Sequence, residues 1–254
     1  MRVLATGLEG RRAGQPVVIL EAGAGEGLDN WRPAFPDIAR VAPVIACDRR
    51  GIGQSAPDSA TPTLRRVAAS LHSLLATLAV PPPYVLVGHS WGGLFVRAYI
   101  DRYANEAAGL VFLDVTDFET TPAEKAAAVS STDRAAVLAP PTLPPIPPET
   151  PSGLRAEFGV VASEMTNDFP EAQSLRIPAG IPIAVVVATP PARLQGLGGV
   201  MLRLQMQHQA EWALTSPRGL FVAADHVGHM EHRDDPALVA RMIDHVLQNV
   251  ATSR

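Results

Sequence analysis

The stretch YVLVGHSWGGLF, residues 84–95, places one serine between an apolar strand pattern and an apolar helix pattern. Ser90 has Gly88 two residues before it and Gly92 two residues after it. A sharp turn from a strand into a helix crowds these two positions, and glycine relieves the crowding because it has no Cβ. Because the helix is predicted to begin at Trp91, its free N–H groups point at any oxygen bound beside Ser90. The stretch therefore predicts a strained turn that holds the Ser90 hydroxyl in a crevice.

The rest of the chain continues this alternation of strand and helix. Short apolar runs recur at residues 17–20, 44–47, 84–87, 110–113, 183–188 and 219–224. Uniformly apolar strands indicate a sheet that is buried on both faces. Helical patterns lie between them, one opening at Thr61-Pro62 and the last at Asp235-Pro236. The chain is therefore predicted to form an α/β fold with a doubly wound, mainly parallel sheet, whose binding crevice lies at the carboxyl ends of the strands.

The segment of residues 117–178 interrupts the alternation. It is longer than an ordinary connection between a strand and a helix, and it contains the proline tract APPTLPPIPPETP. A capping-box pattern opens TPAEKAAAV, and SGLRAEFGVVASEM predicts a further helix. Because the segment follows the carboxyl end of a strand, we predict a helical, proline-rich lid over the crevice. The predicted domains are an α/β core, residues 1–116 and 179–254, and a lid, residues 117–178.

The composition excludes several classes of protein. The chain has 254 residues, 47% of them hydrophobic, and a formal net charge of -4. That much apolar chain can bury a large core, so a disordered protein is excluded, and the charge gives no reason to expect binding to nucleic acid or to a membrane surface. The N-terminus lacks the apolar run of a signal peptide, so we expect a cytoplasmic protein. Cys47 is the only cysteine and is predicted to be a buried strand thiol without a catalytic role.

A serine hydroxyl is a poor nucleophile until a base takes its proton, so Ser90 needs one of the seven histidines. Four of these are set aside because they fall within helical patterns or point away across the turn: His72, His208, His245 and His89. The other three stand in ADHVGHMEHRDDP, residues 224–236, between the last strand and the last helix. We predict His229 as the base, because Gly228 gives the backbone the freedom to bring its imidazole over Ser90. His226 is the alternative.

The same loop offers a competing interpretation. Four of its side chains are of types that bind transition metals: Asp225, His226, His229 and His232. Histidines three residues apart converge on a metal most readily from a helix, and Gly228 and the preceding strand disfavour a helix at this point. We therefore expect no metal, and the chemistry predicted for Ser90 needs no organic cofactor.

These motifs resemble the α/β-hydrolase fold family along residues 16–246. GHSWGG, an insertion and a late GHMEHRDDP follow in the family's order, EAGAGEG stands where the family has its oxyanion loop, and CDRRGIGQS matches the family's D-R-x-G-x-G-x-S turn. The likeness is greatest to the lidded serine esterases and the cofactor-free haloperoxidases, whose lid follows the sixth strand of the family's sheet. The resemblance implies that the N–H groups of Ala24 and Trp91 form an oxyanion hole. It also implies that Asp48 and Arg49 brace the neighbouring loop.

The acid that orients the histidine is where the chain departs from the family. The family most often takes this acid from the loop after the strand IAVVVA, but residues 181–210 contain no aspartate or glutamate. Asp114 ends the preceding strand, where a minority of the family places its acid, and it preserves the chain order Ser, Asp, His. We predict Asp114 as the acid. Asp117 and Glu21 are the alternatives, in which case Asp114 only caps the loop that enters the lid.

The expected function is hydrolysis of a carboxylic ester with a short to medium acyl chain, or of a lactone, through an acyl-enzyme on Ser90. A small apolar ester is the expected partner, and four side chains are candidates for its pocket: Trp31, Phe118, Phe158 and Met165. A serine at position 90 argues against the dehalogenase and epoxide-hydrolase branches, which use a carboxylate there. Two alternatives stay open: a perhydrolase or haloperoxidase with the same three residues, and a non-catalytic receptor for a small ligand. The sequence gives no indication of the oligomeric state.

Overall fold

A computed structural model describes residues 1–167 and 169–251 of the chain. Residue 168 of the predicted lid and residues 252–254 of the predicted core lie outside the described residues.

Within the described residues, seven strands form one sheet in the order β1-β3-β2-β4-β5-β6-β7. Their bounds are β1 Val3–Thr6, β2 Val17–Glu21, β3 Val44–Cys47, β4 Tyr84–His89, β5 Ala107–Leu113, β6 Ile183–Ala188 and β7 Leu220–Ala224. β1 runs antiparallel to β3, and every other neighbouring pair is parallel. The prediction of an α/β fold with a mainly parallel sheet is confirmed. The carboxyl ends of β2, β4, β5, β6 and β7 therefore lie along one edge.

The helices of the described residues alternate with these strands. Their bounds are α1 Phe35–Val41, α2 Leu64–Thr77, α3 Gly92–Tyr103, α4 Pro122–Ala127, α5 Arg134–Leu138, α6 Ser152–Thr166, α7 Gly196–Leu214, α8 Glu231–Asp234 and α9 Pro236–Ala251. None of them has both the length and the apolar character that crossing a membrane requires.

Both faces of the sheet are buried, which explains the uniformly apolar strands. Successive side chains of a strand point to opposite faces. Val17 and Ile19 of β2 accordingly pack with residues of α2 and α3, while Val18 and Leu20 pack with residues of α1 and α9. Burying each such side chain stabilises the fold by about 1.5–3 kcal/mol relative to leaving it exposed. The sheet is thus doubly wound, as predicted.

Two elements differ from the sequence-based expectation. β1 was not predicted, because this edge strand is only four residues long and half of it is exposed. α2 begins at Leu64 with Thr63 as its N-cap, although the Thr61-Pro62 pair was expected to open it. The Thr63 hydroxyl accepts the Arg66 N–H over 3.3 Å, and the Glu171 carboxylate accepts the Leu64 N–H over 3.1 Å. A distant carboxylate therefore helps to set the start of this helix.

The segment between β5 and β6 contains α4, α5, the proline tract without regular structure, and α6. α6 lies against the loop that follows β2, since a Cβ on Gly25 would be 2.7 Å from Cζ of Phe158. The segment thus covers part of the edge where the parallel strands end. Its assignment as a separate lid of residues 117–178 remains a prediction.

Candidate active site

The turn between β4 and α3 holds Ser90 at the carboxyl edge of the sheet. Its backbone is left-handed, with a φ of +52°, a conformation that costs about 1–3 kcal/mol for a residue with a side chain. A Cβ on Gly88 would lie 2.6 Å from Cα of Gly93, and a Cβ on Gly92 would overlap the Glu21 carbonyl. The turn therefore requires glycine on both sides of Ser90.

The structure brings Ser90, His229 and Asp114 into one hydrogen-bonded line. Nε2 of His229 lies 3.0 Å from Oγ of Ser90, and Nδ1 lies 2.6 Å from Oδ2 of Asp114. A carboxylate can only accept, so Nδ1 carries the proton and Nε2 is left to accept the Ser90 hydroxyl. The His229 side chain is half exposed, whereas that of Asp114 is buried. The arrangement can move a proton from the serine to the imidazole.

The alternatives considered for the base and the acid lie elsewhere. His226 is exposed and pairs with Asp235 over 3.1 Å. The Asp117 carboxylate accepts the Glu119 N–H over 3.0 Å within its own turn. Glu21 faces Arg49, with a separation of 3.4 Å. None of these contacts leads to Ser90.

The loop after β2 lies against Ser90 and carries Ala24. A Cβ on Gly23 would be 3.2 Å from Cβ of Ser90. Among the described residues, neither the Ala24 N–H nor the Trp91 N–H donates a hydrogen bond to another protein group. Two amides next to the hydroxyl are thus free to bind an oxygen atom.

Arg49 and Glu157 hold this loop in place through hydrogen bonds to its backbone. The Arg49 guanidinium donates to the carbonyl oxygens of Ala22, over 2.9 Å, and Gly23, over 2.8 Å. Glu157 of α6 accepts the Gly25 N–H over 2.7 Å and binds Arg49 with both oxygens, over 2.7 and 3.0 Å. The sequence indicated Arg49 as a brace but not Glu157. The available signal for Glu157 was a charged residue among apolar neighbours in a predicted helix.

Two further contacts of the site were missed at the sequence level. Arg193 donates to Oδ2 of Asp114 over 2.7 Å. Nε2 of His89 donates to the His229 carbonyl over 2.7 Å, and Nδ1 lies 3.3 Å from Glu26. A polar residue in a buried strand was the only signal for His89. The only ionisable side chain between β6 and α7 was the signal for Arg193.

His89 also belongs to a buried cluster with Glu231 and His232, whose potential ligand atoms lie within 4.8 Å of one another. Among the described residues this is the set that could hold a metal ion, whereas the four residues weighed from the sequence do not converge as such a set. A carbonyl only accepts, so the Nε2 atom of His89 carries a proton and is not free to bind a metal. Only Glu231 and His232, whose polar side-chain atoms have no hydrogen-bond partner, remain as free ligands.

Burial controls the ionisation of this cluster. It raises the pKa of Glu231 to about 9, and the charge of Asp114 acts in the same direction. Burial lowers the pKa of His232 to about 3, together with the neighbouring His89. Burial alone would raise the pKa of Glu26, but the hydrogen bond and charge of His89 outweigh it and lower that pKa. Glu231 and His232 are therefore both neutral around pH 6 to 8, while Glu26 is ionised.

Two cavities adjoin the site. One, of about 300 Å³, is lined entirely by apolar residues: Ala24, residues 143–147 of the proline tract, Phe158, Val161 and Ala162. The other, of about 510 Å³, mixes the apolar Phe118, Met165 and Phe169 with polar residues such as Lys125. Three of the four predicted pocket residues thus line a cavity. Trp31 lines neither; it is 1% exposed and packs on the His232 ring, 4.8 Å between centroids.

Comparison with known proteins adds the family. Residues 15–145, just over half of the chain, match the family model described as the α/β-hydrolase fold. The uncharacterized protein YqjL of Bacillus subtilis (strain 168) is 33% identical over 97 residues, which are 38% of each chain. The match therefore spans well under two thirds of this curated relative.

Solved structures resemble the chain over nearly its whole length. A thermophilic esterase from Thermogutta terrifontis is 18% identical, with a TM-score of 0.66 over 98% of this chain and 93% of that one. A loop variant of a haloalkane dehalogenase from Bradyrhizobium elkanii is 18% identical, with a TM-score of 0.63 over 99% and 94%. Because the identity is low and the two neighbours catalyse different reactions, the likeness shows the fold alone.

Proposed function

This chain belongs to the α/β-hydrolase family, and on that premise we propose that it is a serine hydrolase of carboxylic esters with a short to medium apolar acyl group, or of lactones. The observation that carries the proposal is the line from Ser90 through His229 to Asp114, with separations of 3.0 and 2.6 Å. A nucleophile, a base within hydrogen-bond reach and a group that orients the base are what acyl transfer needs.

The reaction follows from these contacts. Nε2 of His229 takes the Ser90 proton while Oγ attacks the ester carbonyl carbon, and the carbonyl electron pair moves to oxygen. The Ala24 and Trp91 amides bind that oxyanion. As the intermediate collapses, the alkoxide leaves with the proton from His229. Water then attacks the acyl-enzyme with His229 as base, which releases the carboxylic acid and restores Ser90.

Asp114 supports each proton transfer without being protonated itself. Its carboxylate holds the Nδ1 proton of His229, so that Nε2 faces the serine, and it stabilises the imidazolium that forms. The buried position of Asp114 strengthens this interaction, because little water screens it.

The apolar cavity beside Ala24 supports the choice of substrate. Its volume of about 300 Å³ lies at the lower end of the range for small-molecule pockets. It contains no charged side chain, so it favours an aliphatic group over a charged one. An acyl chain bound there would have its carbonyl near the Ala24 amide.

Labelling tests the proposal directly. Wild-type protein is incubated with a fluorophosphonate and its intact mass is measured, alongside hydrolysis of p-nitrophenyl acetate, butyrate and octanoate. We expect one adduct on wild type, none on Ser90→Ala, and a loss of kcat of at least about 10³-fold in that variant. Ser73→Ala, on the exposed side of α2, is the matched control and should behave as wild type. A folded wild type that forms no adduct would contradict the proposed function.

A further inference from the structure

Arg193 occupies the place where the family's usual acid was expected and not found. It stands in the short 3-10 helix Pro191–Leu194, which follows β6. Its Nη1 atom donates to Oδ2 of Asp114 over 2.7 Å and to the Ala188 carbonyl over 2.8 Å. The loop that lacks a carboxylate thus supplies a cation to the carboxylate of the neighbouring strand.

The Asp114 carboxylate is held on both oxygens. Oδ2 accepts from His229 over 2.6 Å and from Arg193 over 2.7 Å. Oδ1 accepts the Ala188 N–H over 3.2 Å. Three donors from two loops and one strand end leave this carboxylate one orientation in which all of them are satisfied. Without Arg193, Oδ2 would accept from His229 alone.

Arg193 and His229 meet at the same atom of Asp114. The guanidinium and the imidazole both donate to Oδ2. Because the Nδ1 proton of His229 is held by this oxygen, the orientation of the carboxylate also sets the orientation of the imidazole toward Ser90. The Arg193 side chain is 35% exposed, so it can be replaced without opening the hydrophobic core.

We propose that Arg193 is a positioning residue that orients Asp114 and, through Asp114, the His229 imidazole. The inference rests on the proposed function, because it assigns His229 the role of base. It concerns the loop after β6, whose part in the site was not foreseen.

The test separates kcat from KM for p-nitrophenyl butyrate. In Arg193→Met we expect kcat to fall about tenfold while KM stays within about twofold of wild type, because a misoriented Asp114 and His229 weaken the chemical step and not substrate binding. In Arg193→Lys kcat should fall only about threefold, since the ammonium keeps the charge but its shorter side chain cannot place a nitrogen where Nη1 donates to both the Asp114 and the Ala188 oxygens.

Controls separate this inference from the proposed function. Arg40→Met, on the exposed surface of α1, should keep the wild-type kcat and KM. A wild type that forms no fluorophosphonate adduct overturns the proposed function itself. A wild type that forms the adduct, with an unchanged kcat in Arg193→Met, overturns the role of Arg193 alone. If Arg193→Met does not fold, a wild-type kcat in Arg193→Lys overturns the role as well.

Discussion

Ser90 and Asp114 both adopt left-handed backbone conformations, with φ of +52° and +38°. Each costs about 1–3 kcal/mol, and backbone hydrogen bonds to the next strand hold each in place. The Ser90 N–H donates to the Leu113 carbonyl over 3.0 Å, and the Asp114 N–H donates to the Val186 carbonyl over 2.8 Å. Hydrogen bonds to the sheet therefore stabilise both strained residues, and both side chains are directed past the strand ends toward His229.

A substitution of Asp114 tests its assignment as the acid that orients His229. In Asp114→Asn we expect kcat to fall by about 10³- to 10⁴-fold, because the amide neither stabilises the imidazolium nor enforces the Nδ1 proton. Asp117→Asn is the matched control, since Asp117 was the alternative acid and bonds only within its own turn among the contacts described here. Its kcat should stay within about threefold of wild type. An equal loss in both variants would contradict the assignment of Asp114.

Among the helices, α6 is connected to the loop beside Ser90 by a buried charged side chain. Its Glu157 is 1% exposed and connects the helix to the loop after β2 through Gly25 and Arg49. Glu21 also faces Arg49, and burial raises its pKa to about 7 in spite of that cation. Burial lowers the pKa of Arg49, but the charge and hydrogen bond of Glu157 outweigh burial, so that the pKa is raised overall. A buried cation is thus shared by two carboxylates from different elements.

Removing the Glu157 carboxylate should loosen the contact between α6 and the loop after β2. In Glu157→Gln we expect the free energy of unfolding in urea to fall by about 3 kcal/mol, because breaking this buried ion pair leaves the Arg49 charge facing only the more distant Glu21. We also expect kcat to fall about tenfold, since the Gly25 N–H loses its charged acceptor. Glu211→Gln, on the exposed side of α7, is the control and should change neither quantity. An unchanged urea midpoint in Glu157→Gln would show that α6 is held by apolar contacts alone.

For the whole molecule, the buried neutral groups make stability depend on pH. Glu231 and Glu21 have pKa values of about 9 and about 7 in the folded chain, against 4.5 for an ordinary glutamate. The unfolded chain loses these protons first, so their stabilisation is complete below about pH 4.5 and is lost as the pH rises through 7 and 9. His232 acts in the opposite direction, because its pKa is lowered from 6.5 to about 3. Its contribution is present above pH 6.5 and is lost as the pH falls toward 3.

The variant Glu231→Gln isolates the contribution of Glu231 to the pH dependence of stability. The amide keeps the shape of the side chain but cannot ionise, so the variant avoids the alkaline loss of stability. We expect the free energy of unfolding to decline between pH 5 and pH 9 by on the order of 5 kcal/mol less in the variant than in wild type. Urea unfolding at several pH values measures this, with the exposed Glu149→Gln as control. Parallel declines in the variant and wild type would show that Glu231 does not hold a proton in the folded chain.

The amino-acid sequence by itself determined the parts that depend on local sterics and burial. The glycines around Ser90 define the turn, because any Cβ there would meet neighbouring backbone. The uniformly apolar runs predict the parallel strands, because both faces of the central strands β2 to β6 are covered. Six strands and the main helices follow from these patterns. The short edge strand β1 does not, since half of it faces solvent.

Only the tertiary structure decided which charged side chains meet. Asp114 and His229 are 115 residues apart, and Arg49 and Glu157 are 108 apart. The contact of Asp114 with His229 depends on the order of the strands, which places the ends of β5, β6 and β7 side by side. The sequence could therefore name Asp114, Asp117 and Glu21 as candidate acids, but the distance of 2.6 Å to His229 singles out Asp114. Arg193 and Glu157 were not foreseen, because a buried ion pair is a property of two distant segments and leaves no periodic pattern in either.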